Sequence, residues 1–195
     1  MRLFVICALL SLMISPAVAE DFTVDGKHAY VLFSVDHLGI APNWGRFNQV
    51  SGDLSFSADT AKNTIKLQIN MASVDTANKK RDSHIRGPDF FDVKQFPYAE
   101  FKSSQWKKVD EHTFEVTGHI TVRGVKRPLV VQVKKTGQGK DPWGNFRIGF
   151  TTEFEFDRMA HGIAYMPKGL GKTVKMVISL EGVRRPKPTE SPKGK

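Results

Sequence analysis

The sequence predicts a mainly all-β protein of about eight antiparallel strands, interrupted by one short helical insertion near residues 78–92. Three observations carry that prediction. Apolar and polar residues alternate with a period of two over most of the chain, the pattern of strands with one buried face. Clusters of turn-forming residues separate the alternating runs. One stretch, Ser73–Ser104, breaks the alternation and sets charges beside phenylalanines.

Each element has its own justification. A strand is expected at about 28–36, apolar on both faces and therefore covered on both, and another at 46–57. Ile65, Leu67, Ile69 and Met71 then alternate with Lys66, Gln68 and Asn70. In the stretch that follows, Lys79, Lys80, Arg81, Asp82 and Arg86 stand beside Phe90, Phe91, Phe96 and Phe101. A short helix is expected over Asn78–Arg86, stopped at Gly87-Pro88 because proline disfavours helical backbone in its predecessor. Connections of this length are usually functional or disordered. This one is too aromatic for disorder, so a lid or rim over the interior is expected. Strands resume at 98–107. Phe114, Val116, Ile120 and Val122 share one face of the next, and Leu129, Val131 and Val133 follow. The clearest strand is 144–157, where Phe146, Ile148, Phe150, Phe154 and Phe156 share one parity. Val174, Met176, Ile178 and Leu180 make the last. Turns are expected at Gly26, Ala58–Asn63, Asp110-Glu111, Arg123-Gly124 and Gly137–Gly144.

The ends read differently from the middle. Arg2, the apolar run Leu3–Ile14 and the small-x-small pattern Ala17-Val18-Ala19 form a secretory leader over 1–19, with the mature chain expected to start at Glu20 and act in the periplasm. The apolar run is too short to span a bilayer. The only cysteine, Cys7, lies in the leader, which excludes disulfides and thiolate metal sites from the mature chain. The domain is expected over 20–183. Residues 184–195, rich in Pro and Lys, read as a basic disordered tail. With 29 Lys and Arg against 20 Asp and Glu, the chain favours anionic partners. Export argues against nucleic acid and leaves anionic membrane as a peripheral contact. The oligomeric state stays open, a homodimer included.

Several catalytic and metal patterns are excluded. Gly169-Leu170-Gly171-Lys172-Thr173 imitates a phosphate loop, but Met166 stands where that pattern needs glycine, and a strand follows instead of a helix. Neither a Gly-x-Ser-x-Gly elbow nor a His-Glu-x-x-His pair occurs. The six histidines show no ligand spacing, so no metal site is expected. Strands apolar on one face must bury those faces together, and a closed barrel and a two-sheet sandwich both do so. The lumen of an eight-stranded barrel is filled by side chains or holds one small ligand.

Over Phe22–Gly182 the chain resembles the YceI-like family of exported lipid-binding proteins. The likeness lies in FSVDHLG at 33–39 with GRF at 45–47, in SVDTANKKRDSHIRGPDFFDVKQFPYAEFKS at 73–103, in GHITVRGVKRPL at 118–129, in GFTTEFEFDR at 149–158, and in LGKTVKMVISLEG at 170–182. The 73–103 block is the most specific. The resemblance implies a lipocalin-like eight-stranded antiparallel barrel with a helical insertion. It also implies a long apolar molecule in the lumen (a polyisoprenoid, an isoprenoid quinone or a fatty-acid-type amphiphile), no other cofactor and no catalysis. Two positions depart from the family's pattern: Met159-Ala160-His161-Gly162 replaces an Asp-aromatic-Gly element, and Lys172 stands where many relatives carry an acid.

Candidate wall residues are Val31, Phe33, Val35, Leu54, Phe56, Ile69, Met71, Phe90, Phe91, Ile120, Phe150 and Phe154; packed core is the alternative for each. Arg81, His84 and Arg86 are the candidates for a headgroup at the mouth, because guanidinium groups take phosphate in bidentate fashion. Their alternative is to pin the insertion through Asp75 or Asp89. Arg46 and Arg158 are weaker candidates of the same kind. Two other functions fit the sequence: an enzyme acting on a lipid or isoprenoid, and a stress-response protein with a filled barrel that meets membrane through its basic rim.

Overall fold

The computed structural model describes residues 18–186. The expected leader, apart from Val18 and Ala19, and the tail beyond Pro186 lie outside the described residues. The strands are β1 (Glu20–Val24), β2 (Tyr30–His37), β3 (Ala41–Phe47), β4 (Val50–Phe56), β5 (Thr64–Asn70), β6 (Val74–Asp75), β7 (Tyr98–Lys108), β8 (Thr113–Val122), β9 (Val125–Lys140), β10 (Phe146–Asp157) and β11 (Leu170–Arg184). The one α-helix among the described residues is α1 (Lys79–Arg86).

These segments occupy eight positions in a closed antiparallel ring. β1 and β2 both lie beside β11, with Val24 opposite Gly182 and Tyr30 opposite Ser179. β4 and β3 lie beside β1 and β2, and β5 and β6 beside β4 and β3. The three bent strands are thus each written as two segments. A single 3-10 turn marks the bend in the first and third: Gly26–His28, whose Asp25 carboxylate accepts from Lys27 N, and Met71–Ser73, whose Asn70 accepts from Ala72 N. The bends let a short sheet curl until β11 meets β1. From there β7, β8, β9 and β10 follow as a meander.

The closed barrel removes the sandwich alternative, and several boundaries move. The expected strand at 28–36 begins only at Tyr30, and β1 precedes it. The expected strand at 46–57 is the bent pair β3 and β4. β9 runs through Gly137 to Lys140, and the turn tightens around Asp141, whose carboxylate accepts from Trp143 N and Asn145 N. Arg184 belongs to the last strand instead of the tail: it pairs opposite Phe22, reaches Glu20 at 2.6 Å and lies over the Phe146 ring. The helix is shorter than 78–92. Asn78 caps it by accepting from Arg81 N, and it ends at Gly87, which is extended (ψ 178) as the following proline demands. Turns fill 87–96.

The connections sort into two ends. One end, the floor, carries the start of β1 and the turns at 57–63, 109–112 and 141–145. The other, the mouth, carries the turns at 38–40 and 123–124, the insertion 76–97 and the loop 158–169. Toward the floor, Phe22, Leu54, Val116 and Ile148 are each essentially without exposure. Burying a side chain of this size contributes roughly 1.5–3 kcal/mol. Outside it, Arg147 meets Asp141 and Asp25 at 2.8 Å and Glu181 at 3.0 Å, tying the β9–β10 turn, the β1–β2 bend and β11 to one guanidinium.

Candidate functional site: a lumen open at one end

Between floor and mouth the barrel encloses a cavity of about 470 Å³, a volume typical of sites for one small ligand. Its wall is apolar and comes from nearly every strand. Phe33 and Val35 on β2 and Phe47 on β3 line one side, Ile69 on β5 and Phe101 on β7 the next, and Ile120, Leu129, Val133 and Phe154 the remainder. Parity explains the selection, because alternate residues of each strand face inward. Gly45 shows how closely the wall is fitted. It sits opposite Phe33, and a β-carbon there would strike the Phe33 ring.

Four rings form the bottom of the cavity. Phe56 stands 5.4 Å from Phe114, 5.3 Å from Phe150 and 6.1 Å from Trp106, each nearly edge to face, an arrangement favoured by the ring quadrupoles. Trp106 and Phe150 border the cavity from below, whereas Phe56 and Phe114 border a second depression, of about 380 Å³, on the floor side. The four together separate the lumen from the floor.

The mouth is covered by the insertion and the β10–β11 loop. His84 on α1 meets the rings of Phe90 and Tyr165 at 5.1 and 4.9 Å, and Phe90 meets Tyr165 at 5.1 Å. Arg123, on the β8–β9 turn, donates to the Gly162 carbonyl and, at 2.8 Å, to the Pro88 carbonyl, clasping loop and insertion together. Arg158 is buried at 3% exposure and donates to the carbonyls of Gly171, Ile163, Tyr165 and Leu170. Burial pushes its pKa down, and the Asp157 charge opposes this. The departing element Met159–Gly162 has a local role: His161 is buried, with Nδ1 3.0 Å from the Val125 carbonyl. Lys172 pairs with Asp157 at 3.0 Å.

The structure brings most of the expected wall residues to the cavity. Phe33, Val35, Ile69, Met71, Phe90, Phe91, Ile120, Phe150 and Phe154 line it. Val31 and Leu54 are packed core at 1% exposure, and Phe56 belongs to the septum of rings. Of the mouth candidates, Arg81 and His84 reach the cavity and Arg86 does not. Arg86 donates to the carbonyls of Ala72 and Val74 and so ties α1 to β6. Arg81 donates from Nε and Nη2 to Thr76, whose hydroxyl and amide serve the buried Asp82 carboxylate. Its Nη1 has no protein partner among the described residues. His84 pairs with Asp89 at 2.9 Å. Arg46 lies over the Tyr30 ring, away from the lumen. Sequence reasoning missed Trp44, Phe47, Trp106 and Tyr165. Phe47 shares the parity of Gly45 and was readable. Trp106 was not, because a bulge between Ser103 and Gln105 reverses the parity of β7. Among the described residues no group of three His, Cys, Asp or Glu could hold a metal.

A closed eight-stranded antiparallel barrel with a hollow apolar lumen and a helical cap defines the class: a lipocalin-like barrel. The chain belongs to the YceI-like domain family, which matches residues 22–182. A UPF0312 protein of Azotobacter vinelandii is 38% identical over 174 residues, spanning 87% of this chain and 90% of the relative. A UPF0312 protein of Yersinia pestis is 36% identical over 171 residues, 86% of this chain and 88% of the relative. Among solved structures, the Campylobacter jejuni YCEI protein superposes with a TM-score of 0.66 at 26% identity, covering 77% of this chain and 90% of that one. Burkholderia cenocepacia BcnA gives a TM-score of 0.74 at 23% identity, with 81% and 98% covered. A polyisoprenoid binding domain from Saccharophagus degradans gives 0.66 at 14%, with 84% and 98% covered. The last two are likenesses of fold.

Proposed function

We propose that the protein binds one long apolar molecule (a polyisoprenoid, an isoprenoid quinone or a fatty-acid-type amphiphile) in its lumen and carries or sequesters it in the periplasm without catalysing a reaction. The apolar cavity, closed below by the septum and covered by a clasped lid, is the observation that carries this reading. Each methylene moved from water into such a lumen gains about 0.8 kcal/mol, so chain burial supplies affinity and the mouth supplies selection. Arg81 supports a polar end at the mouth, since Thr76 orients its guanidinium and leaves Nη1 unpartnered. The polyisoprenoid binding domain with the same fold supports the ligand class. The leader-like segment 1–19 supports the periplasm.

Mass spectrometry of an organic extract of the native protein tests the reading: a stoichiometric apolar molecule is expected. Preparations that stay empty and take up no dispersed prenyl alcohol would overturn it. Ile120→Trp, which places an indole in the lumen, is expected to lower uptake more than tenfold while the chain still folds, because overpacking typically costs about 1–3 kcal/mol. Uptake unchanged by that variant would place binding elsewhere.

A further inference from the structure

The mouth has three features that lumen binding does not require. It exposes a group of large apolar side chains: Leu38 and Ile40 at the tip of the β2–β3 hairpin, Trp44 on β3, and Tyr165 and Met166 on the β10–β11 loop. Ile40 is the extreme, at 82% exposure. The floor exposes Val18, Val109 and Trp143, on the segment before β1 and on two separate turns.

Leu38 and Met166 hold left-handed backbone, with φ of 59° and 52°. Glycine takes that conformation freely, and a side chain such as leucine or methionine is strained in it. The two residues stand together: a β-carbon on the intervening Gly169 would strike Met166 and come within 3.3 Å of Leu38. Strain of this kind collects at functional positions, and here it presents two apolar side chains to solvent.

Charge completes the pattern. Lys79, Lys80, Lys94 and Lys168, all exposed on the insertion and the β10–β11 loop, have no carboxylate partner among the described residues. The neighbouring acids are already engaged. Asp36 accepts from Gly39 N, Asp89 pairs with His84, and Asp82 and Asp92 are buried. The floor carries paired arginines, Arg147, Arg184 and Arg185, beside exposed lysines such as Lys108 and Lys140.

We propose that this rim docks on an anionic lipid bilayer, with Leu38, Ile40 and Met166 entering the interface and the four lysines meeting lipid phosphates. No helix of the described residues is long and apolar enough to cross a membrane, and the contact is peripheral. Stable peripheral anchoring needs an apolar and a basic contribution together, and the rim supplies both. Trp44, Tyr165 and Met166 border rim and lumen alike, so a docked mouth passes a lipid between bilayer and lumen without exposing it to water. The proposal rests on the lumen reading for that transfer, while the docking itself is separately measurable.

Flotation of the purified protein with phosphatidylcholine vesicles, with and without phosphatidylglycerol, is the test. Binding to the anionic vesicles that weakens with salt is expected. A lysine near an anionic surface is worth about fivefold in partitioning, so Lys79→Glu with Lys80→Glu is expected to lower binding more than tenfold. Leu38→Gly with Ile40→Ser is expected to abolish flotation without lowering the urea midpoint, since glycine relaxes the left-handed turn. Brominated lipid is expected to quench Trp44 in a Trp143→Phe protein and to leave Trp143 unquenched in a Trp44→Phe protein. Absence of flotation, charge-independent flotation, quenching of Trp143, or a dimer that Ile40→Ser dissolves would each overturn docking. Uptake of dispersed prenyl alcohol without flotation would defeat docking alone. Rim-dependent flotation of a protein that takes up no prenyl alcohol would defeat the lumen reading alone.

Discussion

Arg158 shows how one residue organises the mouth. It is buried without a hydrogen-bonded carboxylate, and four backbone carbonyls of 163–171 converge on its guanidinium. Two of those carbonyls, Ile163 and Tyr165, belong to the irregular β10–β11 loop and two, Leu170 and Gly171, to the start of β11, and buried acceptors must find donors somewhere. Arginine suits the task because its planar fork carries five donors at fixed angles and does not lose its charge. Lysine keeps the charge but offers three donors from a single point. Arg158→Lys is therefore expected to cost about 2–3 kcal/mol, in line with charged hydrogen bonds lost and carbonyls left bare. The urea midpoint measures the cost, and faster exchange of the Ile163 amide, which donates to the Arg158 carbonyl, locates it. A midpoint within about 0.5 kcal/mol of the parent, the range of neutral surface substitutions, would show that the loop holds itself.

At the scale of elements, the lid is two connections and a clasp. The insertion and the β10–β11 loop share ring contacts through His84, Phe90 and Tyr165, and Arg123 donates to both. Arg123→Ala is expected to speed release of bound prenyl alcohol several-fold, since the exit must part these two elements. It is expected to lower stability by only about 1 kcal/mol, the net worth of a hydrogen bond near the surface. Stopped-flow dissociation and thermal melting read the two effects separately; equal release rates would mean that the lid does not gate the lumen. The sequence made some of these elements legible and hid others. Gly87-Pro88 marked the end of α1 correctly because the stop is local sterics. Period-two alternation placed β5, β8, β10 and β11 because each keeps one face inward throughout. The bends between β1 and β2, β3 and β4, and β5 and β6 were hidden, since closing the ring sets them and composition does not. The bulge in β7 hid Trp106 in the same way. Arg86 looked like a ligand for phosphate because an arginine beside phenylalanines looks alike whether it faces a headgroup or a pair of carbonyls.

At the scale of the molecule the two ends are built for different tasks, and the backbone records it. All five non-glycine residues with positive φ among the described residues, Leu38, Ala77, Asp92, Arg123 and Met166, lie at the mouth. The floor holds the compensating order, with its septum of rings and the Arg147 network. That network makes the barrel's stability depend on pH in a defined direction. The Arg147 guanidinium, and after it His28, holds the Asp25 carboxyl well below the usual carboxylate range. Arg147 is also the main cause holding Asp141 down to about 2. A carboxyl whose pKa falls on folding contributes stability above its unfolded value, near 3.9, and loses it as the pH drops toward the folded value. The parent protein is therefore expected to lose stability between about pH 4 and pH 2. Arg147→Met removes the partner and returns both carboxyls toward ordinary values. The gap in urea midpoint between parent and variant is then widest above about pH 4 and narrows as the pH falls toward 2. A gap that stays constant over that interval would mean that Arg147 acts through its packing and not through its charge. The floor would then owe its closure to the rings and apolar core alone.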